Sequence, residues 1–146
     1  MPIYKYQRIV TPGPNGTTLY FRNTETHDAV ELAKLDDWYY VFVPDGVTMP
    51  EQPAEIGWQA VTLTESEKEQ IKAASRRCQL IAEEMQRRIR AKYSAEDEQY
   101  FARIGMAAAL GAYTFRPGEQ DELMAYTAHV EAVRQWGRDE RAKIGL

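Results

Sequence analysis

His27 and Asp28 stand side by side, and a carboxylate next to an imidazole can orient it for general acid–base work. Cys78 is a second candidate, a nucleophile if it were an exposed thiolate in a positive setting, which Arg76 and Arg77 would supply. It falls, however, between Ala74 and Ile81 on an apolar stripe, where a cysteine behaves as a small hydrophobe. A third candidate is the run Arg87-Arg88-Ile89-Arg90-Ala91-Lys92, which could meet phosphates. Glu83 and Glu84 precede it, Asp97 and Glu98 follow, and Tyr93 alone offers a ring for stacking. Cations at the end of a helix also answer its dipole, so nucleic-acid association is the weaker expectation. The acidic pairs Asp36-Asp37, Glu83-Glu84 and Asp121-Glu122 are adjacent in sequence. Two-carboxylate hydrolysis needs such groups facing each other across a cleft.

Stronger signatures are absent from the sequence. It has no P-loop, no G-x-S-x-G, no H-E-x-x-H and no C-x-x-C. Gly13-Pro-Asn-Gly16 lacks the Lys-Ser/Thr and the helix of a phosphate loop and reads as a turn. His27 and His129 are far apart, and the one cysteine excludes a disulfide framework and a Cys-based zinc site. No catalytic residue, cofactor or metal is therefore expected, and the chain reads as non-enzymatic. A net charge of −4 also argues against a chain built throughout for nucleic acid. No apolar run reaches the roughly 18 residues of a membrane span, and the N-terminus lacks a signal-peptide core. A cytoplasmic location is the resulting expectation.

The elements that would position these residues fall into two parts within 146 residues. Residues 1–62 carry four Lys/Arg and eight Asp/Glu, the whole net charge, and six of the seven prolines. This part reads as β-rich. Strands are expected over 3–11 and 17–22, joined through Pro12-Gly-Pro-Asn-Gly16, and again over 38–43 and 57–63. Residues 27–35 are expected to form a short helix with Val30, Leu32 and Leu35 inward, and 44–55 an irregular, polyproline-like connection. Residues 63–146 read as three helices, about 65–92, 95–112 and 118–143. Thr64-Glu-Ser-Glu67 and Ser94-Ala-Glu-Asp97 form capping boxes at the first two starts, and Pro117 sits in the first turn of the third. The fold class is α+β, a small antiparallel β unit followed by a three-helix element.

Two features are suited to binding. Trp38, Tyr40, Phe42 and Trp58 crowd the β part, and such rings are typical anchors of a protein interface. Ile71, Cys78, Ile81 and Met85 on the first helix, and Leu123, Tyr126, Val130 and Val133 on the third, recur at steps of three and four or their sums. These seams would pack on each other, on the Gly/Ala-rich middle helix, or on a second copy of the chain, so a homo-oligomer is one expectation.

The order of these elements resembles a known family. Residues 38–47 with Pro50-Glu-Gln-Pro53 lead into Gly57-Trp-Gln-Ala-Val-Thr-Leu-Thr64. Residues 89–98, a Gly/Ala helix, Glu122-Leu-Met-Ala-Tyr126 with Val130, and Val130-Glu-Ala-Val-Arg-Gln-Trp-Gly137 follow. The pattern is similar to that of the small tail-fibre assembly, chaperone-type proteins of phages and prophages, over about two thirds of the chain. Those proteins commonly join a β-rich N-terminal part to a helical C-terminal part. Their acidic, proline-rich C-terminal end is not found here, where the chain ends Ala142-Lys-Ile-Gly-Leu146. The resemblance implies a non-enzymatic protein that binds a tail or tail-fibre polypeptide, as assembly helper or minor structural component, in the host cytoplasm or on the virion. The alternatives are a ligand-binding or enzymatic domain around His27 and Asp28, and a nucleic-acid-associated protein using 87–92.

Overall fold

The structure is a computed structural model and describes residues 2–146. Its strands are β1 (Ile3–Tyr6), β2 (Ile9–Val10), β3 (Thr18–Leu19), β4 (Val30–Leu35), β5 (Trp38–Phe42) and β6 (Gln59–Val61), with a 3-10 turn at Ala54–Ile56. The helices are α1 (Glu65–Ala74), α2 (Arg76–Arg90), α3 (Ala95–Ala109) and α4 (Glu119–Ala142). The class is α+β, with an antiparallel N-terminal sheet and then helices. By packing, the chain forms two compact units. One comprises the residues up to Leu80 together with Arg141–Leu146, the other Ile81–Glu140. The change of composition near Thr62 falls inside the first.

In the first unit four strands pair in the order β4-β5-β1-β6, all antiparallel. Ile3 lies opposite Phe42 on one side and Val61 on the other. Strand alternation sends Ile3, Tyr40 and Phe42 to one face, where they pack with Ile71, Cys78 and Ile144. Gly145 closes this layer at positive φ, where a Cβ would come within 3.2 Å of both Ile3 and Phe42. The other face carries Tyr6, Val41 and Val43, covered by Phe21, Ala29 and Ile56 from irregular segments. Those segments hold because their polar groups are paired. Arg22 N–H donates to Gln52 Oε1 at 2.7 Å, and Gln52 Nε2 donates back to the Arg22 carbonyl at 2.8 Å. Asn23 Oδ1 accepts from the backbone N–H of both Thr24 and Ala29. The proline-rich connection thus serves as a second layer over the sheet.

The expected hairpin is present but short, with Ile9 opposite Leu19 and Val10 opposite Thr18, and the strand expected over 3–11 divides into β1, which joins the four-stranded sheet, and β2. The helix expected over 27–35 is absent. His27 adopts a left-handed backbone at φ 55°, and 30–35 form an edge strand. The register slips between Glu31 and Ala33, so Leu32 is an extra residue in a bulge, and Leu32 and Ala33 are buried consecutively. The bulge breaks the period of two and leaves a spacing that imitates a helix.

The helix expected over 65–92 is two helices, which makes four among the described residues. Ser75 interrupts it with an extended backbone (φ −72°, ψ 123°) and is fully buried. Its Oγ accepts from the backbone N–H of Cys78 at 3.3 Å, so it ends α1 and caps α2. Both capping boxes are formed: Thr64 with Glu67 at the start of α1, and Ser94 with Asp97 at the start of α3.

Candidate functional site

The second unit is organised by α3 and α4. Phe101 stacks on Tyr126 with centroids 4.9 Å apart, and the side of Gly105 faces Leu123 at 3.5 Å. Later positions on α3 thus meet earlier positions on α4, an antiparallel pair. Tyr93 meets both Phe101 and Tyr126 edge-on. On α2, Met85 fills the space left by Gly137 of α4, where a Cβ would lie 2.3 Å from its Sδ. Gly137 therefore lets a long thioether settle against the α4 backbone.

At the start of α4 the chain reads Arg116-Pro117-Gly118-Glu119. Glu119 reaches back three residues, and its Oε1 accepts from the Arg116 backbone N–H at 2.6 Å, as the acid of a capping box does. The same oxygen accepts from Tyr113 Oη at 2.7 Å, and Oε2 accepts from Tyr100 Oη. Glu119 is only 7% exposed, and these three donors stabilise its charge. The two tyrosine hydrogen bonds, followed by the backbone one, hold its pKa down at about 2. The same bond pushes Tyr100 up to about 12, with burial adding to it, and Tyr113 is raised mainly through its bond to Glu119.

A cleft of about 340 Å³ adjoins this knot, lined by Tyr100 and Tyr113, Arg103 and Arg116, Ile104 and Ala107, and Glu119 itself. A carboxylate held at about 2 stays ionised near neutrality, and a phenol held at about 12 stays protonated. Neither is poised to exchange a proton there, since general acid–base catalysis wants a pKa near the working pH.

The other candidates take different places. Asp28 accepts a hydrogen bond from the Thr26 hydroxyl, not from His27, which is exposed. Asp28 lines a separate cleft of about 560 Å³ with Thr24, Thr26 and Thr48, and His27 is not among the lining residues. Of the basic run, Arg87 makes two bonds of 2.8 Å to Glu84, and Arg88 makes one of 2.9 Å to the same carboxylate. These contacts, that of Arg87 first, hold Glu84 at a pKa of about 2. Arg88 also lies 3.8 Å above the Trp136 ring, and Arg90 pairs with Glu98 at 2.5 Å. His129 contacts the Arg88 carbonyl at 3.2 Å.

Tyr40 and Phe42 are buried in the helix-facing layer of the sheet, and Trp38 is half-buried beneath the Lys5 ammonium. Trp58 keeps an open face and leans on Tyr4 at 5.8 Å. Of the two seams, Ile71 and Cys78 are core residues of the first unit. In the second unit Ile81 and Val133 are buried, while Met85, Leu123, Tyr126 and Val130 are half-buried. The exposed large apolar side chains of that unit are Met106 (69%), Leu110 (77%) and Met124 (62%). Sequence reasoning passed over these three and over Glu119. The spacing from Arg116 to Glu119 was the available signal for the latter.

Among the described residues no cluster of His, Cys, Asp or Glu is placed to hold a metal, and no helix is long and apolar enough to cross a membrane. No family model, no curated protein and no solved structure matches this chain.

Proposed function

We propose that this is a non-enzymatic binding protein of the phage tail-assembly kind, which engages a tail or tail-fibre polypeptide through the α3–α4 pair. The observation that carries the reading is the exposure of Met106, Leu110 and Met124. Met106 follows the contact position Gly105, and Met124 follows the contact position Leu123. One residue further along each of two antiparallel helices turns to the same flank of the pair, and Leu110 extends that flank by one turn. Exposed apolar side chains that share a flank mark an interaction surface, and flexible thioethers adapt to a partner of irregular shape. The resemblance in element order supplies the kind of partner.

The test is co-expression with the polypeptides encoded beside this chain, followed by co-purification and identification of any tail-fibre polypeptide retained. Capture is expected, and replacing Met106, Leu110 and Met124 together by serine is expected to weaken it by at least about tenfold. Unchanged capture by the triple variant would remove this flank from the contact. Absence of capture by the parent protein would sink the tail reading.

A further inference from the structure

The two edges of the four-stranded sheet are built differently. At β4 the backbone bulges at Leu32, Glu31 is held by Arg8 at 2.9 Å, and the Lys34 ammonium lies over the Tyr39 ring. Bulges and charges of this kind keep a free edge from pairing with another chain. The β6 edge has neither: Gly57-Trp-Gln-Ala-Val-Thr-Leu-Thr64 is free of charge and of proline, and residues 57–60 and Thr62 are exposed. The Val43 N–H donates to the Pro2 carbonyl at 3.1 Å and the Gln7 N–H to the Ile56 carbonyl at 2.8 Å, which fixes the parity of β1. Its even residues turn their backbone groups to β5, and its odd ones, Ile3 and Lys5, to β6. Val61 and Gln59, opposite them, therefore face inward, and Ala60 points its N–H and C=O away from the sheet. Trp58 and Thr62 share that parity, and the outward groups of these three have no hydrogen-bond partner among the described residues.

We propose that β6 accepts an extended segment of the partner polypeptide as a further strand of this sheet. Donors and acceptors in one row, repeating about every 7 Å, are matched by a strand and not by a helix, whose backbone groups are spent on itself. Strand addition takes its affinity from the main chain and its selectivity from alternate side chains. On one face the added strand covers the open side of Trp58, which is 39% exposed and leans on Tyr4. The flanks set the charge of the segment. Glu51 and Glu55 precede the edge and Glu65 and Glu67 follow it, against Lys68 alone, while Lys5 of β1 is turned to Trp38. A segment with basic ends fits. A second copy fits poorly, since an antiparallel self-pair centred on Ala60 sets Glu55 of each chain towards Glu65 of the other. The inference rests on the protein-binding reading and names the conformation and charge of the part that the first unit holds.

The probe is acetyl-Lys-Val-Thr-Val-Thr-Val-Lys-amide, titrated into the full chain and followed by backbone amide NMR and hydrogen exchange. Saturable shifts at Trp58, Ala60 and Thr62 are expected, with the Ala60 amide exchanging at least about tenfold more slowly in the complex. The same peptide with glutamate in place of both lysines should bind about tenfold more weakly. Ala60→Pro and Thr62→Pro each remove an outward N–H and leave the bonds to β1. Each should weaken binding by about tenfold while the amides of β1 and β5 stay protected from exchange. The comparison of the two peptides tests the edge without altering the fold. No saturation, shifts confined to other regions, equal binding of the glutamate peptide, full binding by both proline variants, or an Ala60 amide protected by dimerisation of the free chain would each overturn the proposal. Because the probe is a free peptide, the result is independent of fibre capture. Peptide binding without capture keeps the edge and removes the tail reading, and capture without peptide binding does the reverse.

Discussion

Glu119 shows how local chemistry fixes what a residue can do. A carboxylate with one donor is a modest anchor; with three donors and little exposure it becomes a permanent charge that orients everything bonded to it. The tyrosines pay with their own ionisation, since each proton they would lose is shared with the carboxylate. Tyr100→Phe removes the largest single cause of the low Glu119 pKa, so that pKa should rise from about 2 towards the ordinary value of about 4.3. Carbon-13 titration of the carboxyl reads this directly. An unmoved Glu119 in the variant would mean that the tyrosine bond is not what holds it. Glu84 reaches a similar pKa by another route, from Arg87 and Arg88 on its own helix, in the manner of ordinary surface pairs three and four residues apart.

At the scale of elements, Ser75 decides the course of the first helical stretch. A serine inside an apolar stripe can bond the backbone locally in place of continuing the helix, and here it does so while fully buried. Ser75→Ala should cost about 1 kcal/mol by loss of the cap, read from the denaturant midpoint. No loss of stability would show that the break is set by packing alone. The capping boxes, the hairpin around Asn15-Gly16 and the strand ahead of Pro44 were legible because each depends on residues a few positions apart. What was not legible depends on partners distant in sequence. The bulge at Leu32 exists because β5 lies beside it, and Val30–Leu35 then satisfies a sheet where its spacing suggested a helix. The Glu119 cluster joins residues 19 and 6 positions apart, which no periodicity links. The basic run 87–92, whose acidic flanks made phosphate binding the weaker expectation, has its arginines paired with Glu84 and Glu98.

For the molecule as a whole, the two carboxylates held near 2 both lie in the second compact unit, so its stability carries a distinct dependence on pH. Glu119 ionises at about 2 in the folded chain and about 4.3 when unfolded, so its contribution is complete above about 4.3 and is lost as pH falls to about 2. Tyr100 has the opposite sign. Its folded pKa of about 12 exceeds the unfolded value of about 10, so its contribution is complete below about 10 and is lost as pH rises to about 12. One hydrogen bond therefore shapes a plateau between these limits. Trp136 reports on the second unit, whereas Trp38 and Trp58 belong to the first, so a chain with Trp38→Phe and Trp58→Phe isolates the signal. Its denaturant midpoint should be flat from about pH 4.5 to 10 and decline on both sides. Adding Tyr100→Phe should lower the plateau, shrink the acid decline and remove the part of the alkaline decline that belongs to this phenol. A profile unchanged by Tyr100→Phe would show that the bond contributes nothing to holding the unit together.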